Sequence, residues 1–251
     1  MRVPTDTIAA PLFPTGLPWV NGGPQSVIQR GRPMLVEFWD FCRPNSLRTL
    51  PYVKAWHERY GPAGLRVIGV HCPGFDASRE ERAVRDAVAR LGIGYPVLVD
   101  SELEVWRDYG NEGWPARYLF DGRARLFDYH YGEGAYTDTE LAIQELLGAR
   151  RQPLAPLRPE DSSAAVLAAQ TKDHDGPYSG PYEAGGVWAV LDGAGTVMVN
   201  GGDAAGGRRL TVSHPGAYAL VEHDRHTAGV LELEVGPGVS CLATCFTPGL
   251  A

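Results

Sequence analysis

Three short apolar runs, Pro33–Trp39, Gly64–His71 and Pro96–Asp100, punctuate the first hundred residues, and each has the length of a strand buried on both faces. Between them the period changes. Leu47, Leu50, Val53, Trp56 and Tyr60 recur at helical spacing behind Pro44, which suits the first position of a helix because its missing N–H costs nothing there. Pro51 removes an internal bond from that helix and is expected to kink it. A second helix is predicted over Ser78–Leu91, with Val84, Ala87, Val88 and Leu91 on one face. Further helices are predicted over Glu102–Tyr109 and Thr137–Gly148. Pro115–Phe120 and Arg123–Tyr129 read as a hairpin turning through Asp121-Gly122. Strands separated by helices predict an α/β domain built on a mainly parallel sheet with an antiparallel edge.

Around Arg150 the pattern is different. Pro153, Pro156 and Pro159 mark a linker. Beyond Pro177 short β-type runs are cut by glycines: Val187–Leu191, Thr196–Val199, Arg208–Val212, Ala217–Val221, Val230–Val235 and Ser240–Phe246. That spacing predicts a small antiparallel β-sandwich of jelly-roll type. The expected organisation is an α/β domain over 1–150 with an N-terminal extension over 1–30, a linker over 151–176 and a sandwich over 177–251. Gly201–Gly207 reads as a mobile loop, and no internal repeat is present.

Composition narrows the function classes. The 251 residues carry a net charge of −7, so no basic field invites nucleic acid or an anionic membrane. Lys54 and Lys172 are the only lysines, which reads as genomic base composition rather than phosphate recognition. Prolines at 4, 11, 14 and 18 break the start of the chain, no window reaches the length of a membrane span, and a cytoplasmic location is expected. The four cysteines are too few for a disulfide scaffold, and free thiols are expected.

The segments Val36-Glu37-Phe38-Trp39, Leu47-Arg48-Thr49-Leu50-Pro51-Tyr52-Val53-Lys54-Ala55-Trp56, Val67-Ile68-Gly69-Val70-His71 and Gly113-Trp114-Pro115-Ala116-Arg117-Tyr118-Leu119-Phe120-Asp121, followed by Gly132-Glu133-Gly134-Ala135-Tyr136, form a specific combination. Together they resemble the thioredoxin-like redoxins of the TlpA/DipZ type over about Trp19 to Leu147. The later half is similar, more weakly, to the sandwich that follows the redoxin module in DipZ-type proteins, on Tyr218-Ala219-Leu220-Val221 and Phe246-Thr247-Pro248-Gly249.

The departure lies at the centre. In that family two cysteines, two residues apart, open the helix before Leu-Pro. Counting without gaps puts Arg43 and Ser46 in those places, and sliding by one residue puts Cys42 and Asn45 there. Neither register supplies a resolving cysteine, so dithiol–disulfide exchange within the motif is excluded. Cys42 precedes a helix start and adjoins Arg43, both of which favour a thiolate, and it is the candidate monothiol nucleophile. Cys72, after the second strand, is a candidate partner, because neighbouring parallel strands end on one side about 4.8 Å apart. His71, Cys72 and Cys42 could together bind a soft metal, but no fourth ligand is evident and no metal site is predicted.

The resemblance implies more. Glu37 takes the place of the buried acid that handles the resolving cysteine's proton, and Trp114-Pro115 that of the cis-proline loop facing the active-site cysteine. Trp39, Phe41, Asn45, His71, Trp114 and Pro115 would then contact a small-molecule, thiol or peptide substrate, with an external thiol as possible reductant and no cofactor. His223-Asp224-Arg225-His226 reads as a solvated turn between two strands. Cys241 and Cys245, four apart on a strand, are expected on the same side as core residues, and Tyr178, Tyr182 and Trp188 as core or rim aromatics.

Overall fold

The computed structural model describes residues 7–24, 31–201 and 207–251. The expected mobile loop therefore falls largely outside the described residues, as do the ends of the N-terminal extension. Two compact units divide the chain: Met1–Asp40 with Asn45–Ala155, and Phe41–Pro44 with Pro156–Ala251.

The first unit is a six-stranded sheet with strand order β1-β4-β3-β2-β5-β6. Its strands are β1 (Trp19–Val20), β2 (Met34–Trp39), β3 (Arg66–His71), β4 (Val97–Val99), β5 (Ala116–Phe120) and β6 (Leu126–Tyr131). The central β2, β3 and β4 run parallel, while β5, β6 and the short β1 join antiparallel. Both edges are thus antiparallel, because Trp19 and Val20 of the expected extension pair with Leu98 and Val97. The helices are α1 (Pro44–Tyr60, with Pro51 inside it), α2 (Glu81–Arg90), α3 (Glu104–Asp108) and α4 (Tyr136–Leu147). Asp76–Ser78 forms a separate 3₁₀ turn, so the second helix starts three residues later than its periodicity suggested. The hairpin turn is longer than Asp121-Gly122: Asp121 N donates to Arg125 O and Ala124 N to Asp121 O, and β6 starts at Leu126.

One consequence of the parallel register positions the site. Trp39 pairs with His71, and His71 with Val99. The ladder then runs past the strand ends: Cys72 N donates to Trp39 O (3.0 Å) and Asp100 N to His71 O (2.9 Å). Asp40, Cys72 and Asp100 therefore follow one another across the same end of the sheet.

The second unit is an antiparallel β-sandwich. Its main sheet has the order β11-β10-β12-β9-β13-β8. The strands are β8 (His174–Asp175), β9 (Gly180–Gly193), β10 (Gly195–Asn200), β11 (Arg208–Val212), β12 (Gly216–Val235) and β13 (Val239–Thr247). A second sheet pairs β7 (Leu167–Ala168) with β14 (Gly249–Leu250), so the segment expected as a linker contributes β7 and β8. Two predicted strands are one: β12 is continuous, and its register against β9 shifts between Glu222 and Thr227. His223–His226 therefore form a bulge inside a strand rather than a turn, with His223 Nε2 2.9 Å from Tyr182 Oη.

A further shift between Cys241 and Ala243 breaks the two-residue alternation of β13. Cys241 packs on the same core as Phe246, so Cys245, Phe246's neighbour, points to the opposite face. The two cysteines do not share a side, correcting the expectation from their spacing. The core itself is apolar, formed by Val187, Ala189, Leu191, Leu220, Leu231 and Phe246 among others.

Candidate functional site

Two buried polar networks sit in the first unit. The first is centred on Glu37 in the middle of β2. Side chains alternate along a strand, so Glu37 shares a sheet face with Trp39, opposite Phe38. In the antiparallel ladder Glu37 lies directly across from Arg117 of β5. Tyr95, in the loop before β4, donates its hydroxyl to Glu37 Oε2 at 3.0 Å. Glu37, Tyr95 and Arg117 are all buried. Burial pushes the Glu37 carboxyl up to about 7, against the opposing pull of the Tyr95 hydrogen bond and the Arg117 charge. Burial likewise lowers the Arg117 pKa, and the guanidinium donates to Gly134 O while lying over the rings of Tyr136 (5.0 Å) and Trp56 (5.7 Å). Glu37 is thus a carboxyl that changes its proton near neutrality.

The second network caps the sheet end. Asp40 accepts a hydrogen bond from Gly74 N at 2.8 Å, and its other oxygen lies 3.5 Å from His71 Nε2. The Asp40 backbone N–H donates to Ser46 Oγ at 3.2 Å, so the hydroxyl at one candidate position of the missing second cysteine ties α1 back to the end of β2. Cys72 donates its thiol to Asp100 Oδ2 at 3.3 Å. Asp100 in turn accepts from the backbone N–H groups of Glu104, Val105 and Trp106 at the start of α3. Burial, and then the Asp100 and Asp40 carboxylates, push the Cys72 thiol well up. Cys72 is a protonated hydrogen-bond donor here, not a thiolate.

The Trp114–Pro115 peptide bond is cis, and Trp114 Nε1 donates to Cys72 O at 3.0 Å. The indole packs on Trp106 with centroids 4.3 Å apart. Since Ala116 pairs with Phe38, this loop stands at the same sheet end as Asp40 and Cys72.

The remaining expected site residues divide. Cys42 and Cys72 are both fully buried and neither is in a disulfide, so the two are not bonded to each other. Arg43 is half-buried, Asn45 is exposed on α1, and Pro115 is buried. Trp39 does not line an open cleft. It is fully buried, edge-on to His71 at 5.1 Å, and packed so closely on Gly69 that a Cβ there would come within 3.0 Å of its indole nitrogen. Phe41 is 1% exposed. Sequence reasoning missed Tyr95, Asp100, Asp40 and Arg117. Only Asp100 left a signal, as an acidic residue just ahead of a short helix.

A βαβ core of parallel strands flanked by an antiparallel hairpin, with a cis-proline loop at the end of the sheet, defines a thioredoxin-like fold. Two solved thioredoxin-like proteins superpose at a TM-score of 0.50; one, solved in its oxidised form, is 24% identical and covers 56% of this chain and 95% of its own, and the other is 19% identical and covers 57% and 99%. No protein-family model matches the chain. Its homologues include DipZ of Mycobacterium tuberculosis, 34% identical over 148 residues, which are 57% of this chain and 21% of DipZ. The thiol-disulfide oxidoreductase YkuV of Bacillus subtilis is 25% identical over 130 residues, 51% of this chain and 87% of YkuV. The chain thus spans about a fifth of DipZ, and no Cys-x-x-Cys pair is present in it. Among the described residues no helix is long and apolar enough to cross a membrane, and no cluster of metal-ligating side chains is found.

Proposed function

We propose that the chain is an atypical member of the thiol–disulfide oxidoreductase class in which Cys42 is the single reacting thiol. The observation that carries this reading is the division between its two candidate cysteines: Cys72 is held protonated on Asp100, leaving Cys42 beside the start of α1. In the proposed cycle the Cys42 thiolate attacks one sulfur of a substrate disulfide and forms a mixed disulfide, releasing the other sulfur as a thiolate. An external thiolate then attacks the substrate sulfur of the mixed disulfide and frees Cys42. Electrons balance without a second protein cysteine, and the net change is exchange of one thiol for another. Glu37, whose pKa is about 7, is the proposed proton acceptor. A small-molecule or peptide disulfide is the proposed substrate, and a reducing compartment such as the cytoplasm would supply the thiol.

Complete burial of Cys42, Trp39 and Phe41 favours a second reading, a binding protein on the same scaffold without thiol chemistry. Incubation of the native chain with glutathione disulfide, followed by mass spectrometry of the intact protein and its peptides, separates the two. A glutathione adduct on Cys42, lost in Cys42→Ser, is expected from the first. A Cys42 as unreactive as Cys72 and Cys245 sinks it and leaves the second.

A further inference from the structure

On the face of the first unit's sheet that carries Phe38, a cavity of about 480 Å³ lies beside the edge strand β6. Tyr109, Tyr118, Tyr129 and Tyr131 are among its walls, and Asp108 and Glu112 are its charged lining; none of the described residues that line it is basic. Consecutive rings meet edge to face, with Tyr109–Tyr118 centroids 5.6 Å apart at 74°, Tyr118–Tyr131 6.0 Å at 88° and Tyr129–Tyr131 5.8 Å at 73°. Rings packed this way do not stack shut on one another, and Tyr129 and Tyr131 remain 48% and 39% exposed.

The hydroxyls are organised too. Tyr118 Oη donates to Asn111 Oδ1 at 2.9 Å and lies 2.8 Å from Tyr131 Oη. Burial chiefly, then Tyr131 and Glu112, raise the Tyr118 pKa, and burial followed by Asp108 raises that of Tyr109, so both carboxylates act on the tyrosines. Aromatic faces attract cations, and a carboxylate pairs with a guanidinium in a planar, two-bond geometry. The volume is that of a small-ligand site. An edge strand alongside is the usual place for an extended peptide to lie; Ile8 and Ala10 already bond the hairpin at Leu126 and Ala124, so the peptide would lie beyond them, along residues 127–131.

We propose that this cavity is a recognition site for an organic cation, presented as an arginine side chain of an extended peptide. Tyr131 pairs across β5 with Ala116, the residue after Pro115, so the peptide would be held on the strand next to the cis-proline loop. The proposal is independent of Cys42 and would stand if no thiol chemistry were found.

The test is calorimetric titration of the whole chain with acetyl-Gly-Arg-Gly-amide, its citrulline counterpart and free arginine amide. The arginine peptide is expected to bind at least tenfold more tightly than the citrulline peptide and than arginine amide. The Asp108→Asn/Glu112→Gln double variant should lose at least tenfold, and Tyr129→Leu several-fold. All three substituted positions are exposed, and thermal melts matching the parent would confirm that the variants fold. Equal binding of the citrulline peptide, no binding of the arginine peptide, or unchanged binding by the double variant would overturn the site. Equal binding of arginine amide would overturn its assignment to a peptide.

Discussion

In the first unit Glu37, Asp40, Arg48, His71, Asp100, Arg117 and Glu140 are all buried, each tied to named partners on other elements. In the second unit the buried polar residues, among those described, are Thr244 and Thr247, and both donate their hydroxyls to backbone carbonyls. Both units bury apolar side chains on sheets, so the contrast is not one of folding need. Burying a charge costs several kcal/mol before its partners offset it, and an apolar side chain of similar volume is often as good for stability. The strands of the sandwich do without such groups, and the shielded carboxylate of Asp161, held on Arg158, lies ahead of them in the chain. Five of the first unit's buried charges, Glu37, Asp40, His71, Asp100 and Arg117, belong to the two networks around the candidate site, so the contrast between the units falls where the proposed function places its chemistry.

The most severe way to break the comparison is at Glu140, a buried charge outside those two networks. It accepts from Tyr60 Oη (2.6 Å), Trp56 Nε1 (3.3 Å) and Leu154 N (2.8 Å) and pairs with Arg59. Glu140→Ala leaves all four without that acceptor and is expected to cost about 3–5 kcal/mol in urea unfolding. A loss no greater than that of a surface substitution would show that buried charge in this unit is incidental.

Next is Glu37→Gln, where pH decides the sign. The carboxyl's pKa is 4.5 when unconstrained and about 7 in the fold, so the folded state holds a proton that the unfolded state has released. The stability contributed by Glu37 should be fully present below pH 4.5 and be lost as the pH rises through 7, by up to roughly 3 kcal/mol. The variant should flatten that fall and exceed the parent at pH 8, read from thermal or urea midpoints across pH. An unchanged slope would remove Glu37 as a proton carrier.

In the sandwich, Thr244 Oγ1 donates to Gly176 O (3.0 Å) and accepts from Tyr178 N (3.1 Å). Thr244→Val should cost about 1–3 kcal/mol, an ordinary hydrogen-bond loss with no dependence on pH between 5 and 8. Smallest of all is Cys72→Ser, which keeps a donor for Asp100 and should move stability by less than about 1 kcal/mol. A larger loss would give Cys72 a packing role that its hydrogen bond does not explain.

Much of the fold was legible where one period dominates. β2, β3, β4 and α1 stand where their apolar spacing put them, because a fully buried strand and an amphipathic helix leave unambiguous patterns. The sandwich strands were cut too short. Glycines and the His223–His226 run look like turns in one dimension, whereas a bulge absorbs them while β12 continues along β9. The same physics misplaced Cys241 and Cys245, since one register shift reverses every side chain beyond it. At the site, the resemblance pointed to Glu37 and Trp114-Pro115, but their neighbours were invisible. Arg117 meets Glu37 only through the pairing of strands about eighty residues apart, and Tyr95 reaches it from a loop with no pattern of its own.

Trp106 and Trp114, with ring centroids 4.3 Å apart and planes inclined at 38°, have an optical consequence. Two indoles that close mix their electronic transitions, and the resulting circular-dichroism couplet depends steeply on their separation and angle. The cis-proline loop therefore carries its own dye-free reporter, silenced by Trp106→Phe. Any ligand or disulfide partner that shifts Trp114 relative to α3 would write its arrival into the near- and far-ultraviolet spectrum of the unlabelled protein.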